Sequence, residues 1–459
     1  MKTSQFNFKT DYEKTGETLL FNTLTGAFCA VDAETQAKIE RLLNDPGCDT
    51  EDSLLVEFLS SRGFLVDDQI DEHQIVRERS ALGINDPNRA DIIVMPNMNC
   101  NFACTYCYEE HSKSEMDETT AARLVAWIER IVPHFKVVLL SWFGGEPLLT
   151  YRRVVEIQRR VLELCTQNNV RFSCHLTTNG YLLSPERAAE LISLECYSYQ
   201  ITLDGPPETH DSKRPLRGGG STFDRIISNI CALVRTNKSV NVKLRVNYDD
   251  SNLDRIPELL ERIPQDVRPQ LDVVYERIFG QEYSKYVDAM PARRVGVTVE
   301  QLYDHARNSG FSVTMNPLQP SRLTYCYADR KSEFVINYNG DVFKCTVDKF
   351  ESKDRLGWLG DAGTIVWDHD RLARWHAVDT FEEKCYACTF MPMCMGGCRK
   401  LRWRERTVGD DCKLPFMGFD KRLQFRYARE RGDDLGNSVV VAGASFQARS
   451  NEIFRILGQ

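Results

Sequence analysis

The chain lacks a long apolar run, since nowhere do eighteen or more apolar residues follow one another. A helix that spans a membrane needs about 20 of them, so no transmembrane segment is predicted. The first residues, MKTSQFNFKTDYEKTGE, also lack the apolar stretch of a secretory signal peptide. We therefore expect a cytoplasmic protein that has no membrane partner.

Strongly basic segments are lacking too. Lys and Arg number 58 against 66 Asp and Glu, which gives a formal net charge of −8. A mildly acidic surface does not attract a nucleic-acid backbone, so no nucleic acid is expected as a partner. There is no internal repeat or low-complexity tract, and 459 residues with 42% apolar content suffice for two or three globular domains.

Cysteine, by contrast, is abundant, with 16 residues. A reducing cytosol argues against a disulfide framework, and a chain of this length does not need one, so metal ligation is the better interpretation. Ten of the cysteines fall into two spaced sets. The other six are isolated and are interpreted as ordinary thiols: Cys29, Cys48, Cys165, Cys174, Cys196 and Cys231.

Short β-branched runs alternate with amphipathic helical stretches between residues 91 and 277, as in βαβ units on a parallel sheet. Helices such as Thr119–Val132 and Ser184–Leu194 are predicted between the strands. The arrangement predicts an α/β fold with a partial (β/α)6 TIM-like barrel, which binds ligands at the carboxyl ends of its strands. The six predicted strands are Asp91–Met98, Lys136–Phe143, Arg171–Thr178, Tyr197–Leu203, Val240–Asn247 and Leu271–Arg277.

Two regions flank the predicted barrel. The first resembles a small winged-helix unit, with a predicted hairpin, Leu19–Phe21 with Phe28–Val31, and helices at Ala33–Leu43 and Glu51–Arg62, before a polar linker at about 67–90. The second is rich in cysteine, which usually means that metal holds it together, and has a predicted hairpin at Phe334–Tyr338 with Asp341–Cys345. The predicted domains are residues 1–80, 91–315 and 316–430, with a tail at 431–459.

Cys100, Cys104 and Cys107 directly follow the first predicted barrel strand with the spacing C-x3-C-x2-C. Three thiolates on a tight loop hold three irons of a 4Fe–4S cube, and the fourth iron then needs a ligand from outside the protein. The alternatives are a zinc site that lacks its fourth ligand and three unconnected thiols. Zinc sites generally use C-x2-C pairs with a distant second pair, which favours the iron–sulfur interpretation.

This loop resembles the cluster-binding segment of the radical S-adenosylmethionine (SAM) superfamily, which favours an aromatic residue before the third cysteine, as Tyr106 is here. The resemblance implies that the amino and carboxylate groups of SAM bind the open iron. It also implies cleavage of SAM to a radical that abstracts hydrogen from an otherwise unreactive C–H bond. In that chemistry the barrel supplies placement and the exclusion of water.

The motif Gly144, Gly145, Glu146 and Pro147 follows the second predicted strand. Two glycines permit close backbone approach, and a carboxylate accepts hydrogen bonds from an ammonium group. On its own this is a turn motif. Beside the cysteine loop it resembles the superfamily's GGEP segment, which receives the methionyl amino group of SAM.

Polar residues also end the later strands. By resemblance, Asn179 lies near the cofactor, Thr202 replaces the more usual serine that contacts the ribose, and Arg214 pairs with the carboxylate. Arg245 and Asn247 end the fifth strand and are further candidates. Each residue alone is more typical of a turn or a surface, and their joint position at strand ends favours a cofactor site.

Seven further cysteines lie beyond residue 316. The alternative interpretation is two zinc sites, but seven ligands do not divide into two sets of four. The set resembles the SPASM domain, which carries two auxiliary 4Fe–4S clusters in radical enzymes that modify peptides and proteins, so three clusters are expected in all. The spacing is Cys326-x13-Gly340-x4-Cys345, then Cys385-x2-Cys388-x5-Cys394-x3-Cys398, then Cys412.

The resemblance implies interleaved ligation. The auxiliary cluster nearer to the radical cluster is then one ligand short. The reason is that Asn316–Tyr325 lacks the additional cysteine that completes this cluster in related enzymes. An open iron can take a thiolate from a substrate cysteine, which suggests thioether formation, or a water, a carboxylate or a distant protein cysteine. The implied ligands are Cys385, Cys388, Cys394 and Cys412 for the distal cluster, and Cys326, Cys345 and Cys398 for the nearer one.

The amino-terminal unit resembles the peptide-recognition domain of maturases of ribosomally made peptides, whose edge strand binds a leader, although a plain structural cap is the alternative. The expected substrate is a precursor peptide with a leader. The expected activity is hydrogen abstraction followed by formation of a thioether or another crosslink, with flavodoxin or ferredoxin as reducing partner. Competing hypotheses are a dehydrogenase of the anaerobic sulfatase-maturase type and a non-catalytic electron-transfer or metal-binding scaffold.

Overall fold

The computed structural model describes residues 1–46, 52–278, 299–313, 323–348, 350–361, 363–403 and 419–432. No helix in these segments is long and apolar enough to cross a membrane. The strands are β1 Lys2–Thr3, β2 Asn7–Tyr12, β3 Glu17–Asn22, β4 Phe28–Val31, β5 Leu65–Val66, β6 Arg89–Val94, β7 Val137–Trp142, β8 Arg171–Thr178, β9 Cys196–Thr202, β10 Asn241–Tyr248, β11 Leu271–Arg277, β12 Glu333–Ile336, β13 Asp341–Phe343, β14 Gly357–Gly360 and β15 Thr364–Trp367. The α-helices are α1 Ala33–Asn44, α2 Ser53–Ser61, α3 Glu72–Ile84, α4 Glu118–Ile131, α5 Tyr151–Gln167, α6 Pro185–Ser193, α7 Pro207–Lys213, α8 Phe223–Thr236, α9 Ile256–Glu261, α10 Val299–Asn308, α11 His369–Ala377, α12 Met391–Cys394, α13 Arg399–Trp403 and α14 Phe419–Arg431.

Six parallel strands, β6 to β11, lie side by side in chain order. Helices connect them, because neighbouring parallel strands cannot be joined by a tight turn. This arrangement confirms the predicted α/β fold with a partial barrel. Strands β8 and β11 have the predicted bounds, whereas β6 ends at Val94 rather than Met98, since the chain leaves the sheet there to form the cysteine loop.

The two faces of this sheet differ in polarity because side chains alternate along a strand. Ile92, Leu140 and Leu176 are fully buried in a cluster that includes Leu124 of α4 and Val161 of α5. This apolar layer holds the helices against the sheet. Intervening positions on β8, β9 and β10 carry polar side chains: His175, Thr177, Ser198, Gln200, Lys243 and Arg245.

Strands β12 to β15 extend the sheet beyond β6. Strand β12 pairs with β6 in parallel, and β13, β14 and β15 follow as antiparallel neighbours. The hairpin predicted here is confirmed, because Val335 pairs with Phe343. Gly340 in its turn has a φ of +84°, a left-handed conformation that favours glycine.

The amino-terminal residues form a three-stranded antiparallel sheet in the order β2, β3, β4. The hairpin predicted here is confirmed by β3 and β4, and the predicted helices by α1 and α2. The prediction of a linker at about 67–90 is wrong, because α3 lies within it. Asp71 accepts a hydrogen bond from the Gln74 amide at the start of α3, and Val76 is fully buried, so one cap and few apolar contacts suffice for a largely polar helix.

The chain divides into two compact units that are discontinuous in sequence. The first comprises Met1–Ile84, Asn316–Asp329 and Val378–Gln459, and the second comprises Asn85–Met315 and Arg330–Ala377. In the first unit, aromatic side chains from both ends of the sequence share one cluster. The domains predicted from motifs divide the chain in another way and stay a prediction.

Candidate metal and cofactor site

The loop after β6 carries the three cysteines of the predicted radical cluster. Backbone hydrogen bonds fix it: the Ala103 amide donates to the Pro215 carbonyl at 2.8 Å, and the Thr105 amide to the Lys213 carbonyl at 3.0 Å. Phe102, between the first two cysteines, is fully buried. The protein itself therefore determines the course of the loop.

The thiols of this loop are largely shielded from solvent. Cys100 is buried, and Cys104 and Cys107 are half-buried. Burial raises the pKa of Cys100 to about 12 and that of Cys107 to about 11, so a cluster has to displace protons when it binds. In the segments that the structure describes, no three Cys, His, Asp or Glu side chains are already gathered in a metal-binding arrangement. Three sulfurs on one short loop nevertheless have the donor chemistry of a cluster with one open iron.

Gly144 and Gly145 bring the chain after β7 against the cysteine loop. Gly144 has a φ of +112°, and a Cβ atom there would lie 2.5 Å from the Asn97 carbonyl oxygen. A Cβ atom on Gly145 would lie 2.1 Å from the Asn99 carbonyl oxygen. Both distances are too short for any side chain, so the glycines permit the close backbone approach.

Glu146 is fully buried, and its carboxylate accepts three hydrogen bonds from within the protein. The donors are the Leu148 amide at 3.0 Å, the Thr178 hydroxyl at 2.7 Å and the Asn179 amide at 2.7 Å. Burial raises the pKa of Glu146, although these bonds favour the ionised form. The carboxylate thus holds the end of β8, and Pro147 starts the short 3-10 turn that leads towards α5. The expected contact with a methionyl amino group stays a prediction.

Asn179, which follows β8, contacts the cysteine loop directly. Its Nδ2 group lies 2.9 Å from Asn101 Oδ1 and 3.9 Å from the Cys100 sulfur. The motifs did not indicate Asn101, although its place between the first two cysteines is a signal. The structure therefore adds Asn101 to the candidate site.

Tyr106 joins the cysteine loop to the ends of β9 and β10. Its hydroxyl donates to Asp204 Oδ2 and accepts from Arg214 Nη1 at 2.7 Å and Asn247 Nδ2 at 2.9 Å. Burial raises the pKa of Asp204, and Arg214 acts in the opposite direction. Asp204 was not among the predicted site residues, although it follows the predicted Thr202 by two positions. The network brings Tyr106 and Arg214 together, and their contact with a cofactor stays a prediction.

Thr202 and Arg245 are register partners on β9 and β10. Register partners on adjacent strands project to the same face of the sheet. Thr202 is buried, and Arg245 Nε donates to Asn247 Oδ1 at 2.8 Å. Arg245 is thereby connected through Asn247 to the Tyr106 hydroxyl.

Three buried polar atoms around the cysteine loop have no hydrogen-bond partner among the described residues: Arg214 Nε, Asn101 Nδ2 and Asn97 Oδ1. Buried polar atoms normally have partners, so this site is suited to a further polar group. Guanidinium and amide donors match a carboxylate. Arg214 is also near enough to all three cysteines to favour their thiolates. The residues present therefore fit a cluster and a cofactor that carries a carboxylate.

Most of the second cysteine set lies on short elements of the first compact unit. The Cys388 amide donates to the Cys385 carbonyl at 3.0 Å, Cys394 ends α12, and Cys398 precedes α13. Arg402 Nε is buried without a partner among the described residues, and Arg402 favours the thiolate of Cys385. A buried cation beside thiols fits a group of negative charge.

The remaining cysteines of this set lie elsewhere. Cys326 belongs to the first compact unit, whereas Cys345, two residues beyond β13, belongs to the second. Cys412 lies outside the described residues, as does the isolated Cys48. The predicted ligand sets of the auxiliary clusters therefore stay a prediction.

Together, the fold and the site define an α/β protein with a partial barrel, whose strand ends carry residues suited to a metal centre and a carboxylate-bearing cofactor. Residues 94–263 match the Radical SAM superfamily, so the chain carries a radical SAM domain and is an enzyme of this kind. Such a domain implies one 4Fe–4S cluster and SAM. It agrees with the resemblance that the cysteine loop indicated.

Individual relatives are similar over most of their length. The chain is 22% identical over 389 residues to the cysteine-type anaerobic sulfatase-maturating enzyme of Clostridium perfringens, covering 74% of this chain and 96% of that protein. It is 27% identical over 319 residues to the mycofactocin maturase MftC of Mycolicibacterium smegmatis, covering 65% and 75%. A solved structure, native anSMEcpe with bound AdoMet and Cp18Cys peptide, has the same fold, with a TM-score of 0.52, 18% identity, and coverage of 75% and 97%.

Proposed function

We propose that the chain is a peptide maturase that abstracts hydrogen from a residue of a precursor peptide and forms a thioether or another side-chain crosslink. The observation that carries the proposal is the combination of a cysteine loop beside an unpartnered Arg214 Nε with a second, cysteine-rich region. The first part supports radical formation. The second supports a reaction that must also remove an electron from the substrate.

Different residues of the chain have different roles in the proposed reaction. With a cluster and SAM bound, the site supplies a carbon radical that abstracts hydrogen from an unactivated C–H bond. Cys100, Cys104 and Cys107 hold the cluster, and the Arg214 guanidinium binds and orients the cofactor carboxylate. Gly145 lets the chain close over the loop, which excludes water from the reacting atoms.

A crosslink to sulfur removes two hydrogens from the peptide in all. One leaves as the abstracted hydrogen atom, and the other leaves as an electron and a proton. The cysteines predicted above as auxiliary ligands would hold two clusters, which would supply the acceptor for that electron. A flavodoxin or ferredoxin would supply the electron that starts the reaction.

The amino-terminal sheet supports recognition of a leader. Gln424 of α14 donates to the Asp11 carbonyl on β2 at 2.8 Å, whereas no described strand pairs with the outer edge of β4. The β4 residues, Phe28–Val31, are half-buried. An extended peptide adds to such an edge through main-chain hydrogen bonds. We propose β4 as the strand that binds the leader.

The second candidate is a protein dehydrogenase of the anaerobic sulfatase-maturase type. The alignment with the sulfatase-maturating enzyme of Clostridium perfringens, which spans 96% of that relative, favours it. This reaction removes two hydrogens from one residue and needs no leader. In that case, a peptide without a leader would be modified as efficiently as the full precursor.

The test is anaerobic turnover with SAM, dithionite and the short peptide encoded beside the gene for this chain, followed by mass spectrometry. The expected result is 5′-deoxyadenosine together with a peptide that has lost two hydrogens and one free thiol. Loss of two hydrogens without loss of a thiol would contradict thioether formation, and a neighbouring peptide without cysteine would also exclude it. Absence of 5′-deoxyadenosine would favour the non-catalytic scaffold.

Alanine variants of the cysteines distinguish the roles of the two cysteine sets. Alanine at Cys100, Cys104 or Cys107 should abolish SAM cleavage. Alanine at Cys385 or Cys388 should reduce the modified peptide more than it reduces 5′-deoxyadenosine. Equal loss of both products in the second group would contradict a separate role for the auxiliary region.

A further inference from the structure

Helix α13 carries two arginines, Arg399 and Arg402, that both bind the segment before Cys385. Arg399 Nη1 donates to the Val378 carbonyl at 2.8 Å, and its Nη2 donates to the Thr380 hydroxyl at 3.1 Å. Arg402 Nη1 donates to the Thr380 carbonyl at 2.6 Å. The segment that leads to Cys385 is thus fastened to the helix that follows Cys398.

Arg399 reaches a third cysteine-bearing segment through a buried ion pair. Its Nε lies 3.1 Å from Asp329 Oδ1, with side-chain exposures of 5% and 2%. Asp329 Oδ2 accepts the Cys326 amide at 3.1 Å. A buried pair of this kind is costly to break, because the remaining charge is left without a partner. Asp329 therefore links the Cys326 turn to Arg399.

The turn between Cys394 and Cys398 is held against the same segment. Gly396 has a φ of +83°, and a Cβ atom there would lie 1.7 Å from the Thr380 carbonyl oxygen. Arg402 Nη2 donates to the Gly397 carbonyl at 3.2 Å. The Cys326, Cys385 and Cys394–Cys398 segments thus meet at the two arginines of α13.

Arg402 differs from Arg399 in its charge balance. Among the described residues, its side chain donates to backbone carbonyls, and no carboxylate forms an ion pair with it. Its Nε is buried and has no partner in this part of the structure. Asp329 and Glu382 act on Arg402 without forming ion pairs with it, and its cationic charge also acts on the thiol of Cys385, where it stabilises the thiolate.

We propose that Arg399 and Arg402 are positioning residues for the auxiliary clusters: Arg399 holds the cysteine-bearing segments together, and Arg402 makes the adjacent cluster easier to reduce. The inference rests on the proposed function, since it assumes that Cys385, Cys388 and Cys394 bind such a cluster. Adding an electron to an already anionic cluster is favoured by a nearby cation, so loss of the Arg402 charge lowers the reduction potential.

The test uses the full chain with alanine at Cys100, Cys104 and Cys107, so that only auxiliary clusters contribute to the spectrum. Arg402→Gln, Arg402→Lys and the control Arg41→Gln are compared, since Arg41 is exposed on α1. Iron content is measured first, and a redox titration followed by electron paramagnetic resonance gives the potential. The apoproteins are also unfolded thermally.

Arg402→Gln is expected to bind iron but to have a more negative reduction potential than the parent. Arg402→Lys and Arg41→Gln should have the same reduction potential as the parent. Both Arg402 variants should unfold at a lower temperature, because neither keeps the guanidinium fork. Asp329→Asn should lose iron, since it releases Arg399 and the Cys326 turn. An unchanged reduction potential in Arg402→Gln, or full iron content in Asp329→Asn, would overturn the roles of the arginines but leave the auxiliary clusters in place. If the chain with alanine only at Cys100, Cys104 and Cys107 binds no iron, the proposal of auxiliary clusters is wrong as well.

Discussion

Asp204 illustrates how one side chain can organise a site without being exposed in it. Its carboxylate is fully buried, accepts from the Tyr106 hydroxyl and the Asn247 amide, and lies 3.8 Å from Arg214 Nη1. The Asn252 side chain donates to its carbonyl at 2.6 Å. Asp204 thus fixes both the cysteine loop and the guanidinium that faces the cofactor site.

Asp204→Asn is expected to weaken SAM binding at least about tenfold, a cost of about 1.4 kcal/mol. The physical reason is that the amide keeps the shape of the side chain but removes the counter-charge of Arg214. Equilibrium binding of SAM to the reconstituted protein under anaerobic conditions measures the effect. The matched control is Asp224→Asn, because Asp224 is exposed on α8. Equal affinities in the two variants would rule out a role for Asp204 in orienting Arg214.

His175 gives a prediction about pH. Burial, with a smaller effect from Lys243, lowers its pKa from 6.5 to about 4. The folded chain therefore stays unprotonated at this position between pH 6.5 and 4, while the unfolded chain binds a proton there. The free energy of unfolding falls as the pH decreases through this window.

His175→Gln should flatten that decrease, since glutamine does not titrate. Urea unfolding at pH 7 and at pH 5 measures the slope, and His134→Gln serves as control because His134 is exposed. The same slope in the His175 variant as in the parent would contradict the depressed pKa.

Among the elements, the turn after β7 depends most directly on the size of one residue. A Cβ atom on Gly145 would meet backbone atoms of Asn99 at 2.1 and 2.6 Å, and backbone cannot move aside as a flexible side chain can. The chain after β7 and the cysteine loop can therefore lie this close only if residue 145 has no side chain.

Gly145→Ala is expected to displace the cysteine loop and to lower both iron content and SAM cleavage by more than about tenfold, since displacements near 1 Å at a reacting centre have costs of about a hundredfold. Gly218→Ala is the control, because a Cβ atom there meets nothing within 4 Å. Iron analysis and 5′-deoxyadenosine release measure the two effects. Full iron and activity in the Gly145 variant would show that the loop tolerates the shift.

The sequence predicted elements well where the pattern was strongly periodic. Strands β8 and β11 have the predicted bounds: apolar residues alternate with polar ones through most of β8, and in β11 the apolar run Val273–Tyr275 ends at Glu276 and Arg277. Helix α3 was missed because few of its residues are apolar, and its stability depends on contacts such as those of Val76 with Phe6 and Leu24. Such contacts come from residues far apart in the sequence, which periodicity does not reveal.

At the scale of the whole molecule, the first compact unit joins both ends of the sequence. Phe8 and Phe21 of the amino-terminal sheet pack against Phe419 of α14, with ring centroids 5.0 and 5.4 Å apart. The Thr23 hydroxyl donates to the Thr389 carbonyl, close to Cys388. The amino-terminal residues therefore belong to the same compact unit as Cys326, Cys385, Cys388, Cys394 and Cys398.

Removal of residues 1–84 is accordingly expected to do more than abolish leader recognition. It exposes the aromatic cluster around Phe419, and loss of a single buried Phe side chain already costs about 3–5 kcal/mol. The shortened chain should bind less iron than the full chain and unfold at a lower temperature.

Iron analysis and thermal unfolding of the shortened chain measure this effect, with Lys9→Ala in the full chain as a control for change at the exposed surface of β2. Unchanged iron content and cooperative unfolding after the deletion would mean that the amino-terminal residues form a separable domain.

The sequence by itself determined the chemistry of this protein. Ligand spacing within one loop is a local property, so Cys100, Cys104 and Cys107 indicated the cluster without knowledge of the fold. Parallel strands end at one edge of a sheet, so Asn179 and Thr202 were predicted to lie at one site from their positions at strand ends, and Arg214 was added by resemblance.

Only the tertiary structure decided how those residues are held. The carboxylate of Glu146 is satisfied by Thr178 and Asn179, and the ion pair of Asp329 with Arg399 joins residues 70 positions apart. Hydrogen-bond partners of buried charges are chosen by packing between distant segments, and no local pattern of residues contains that information.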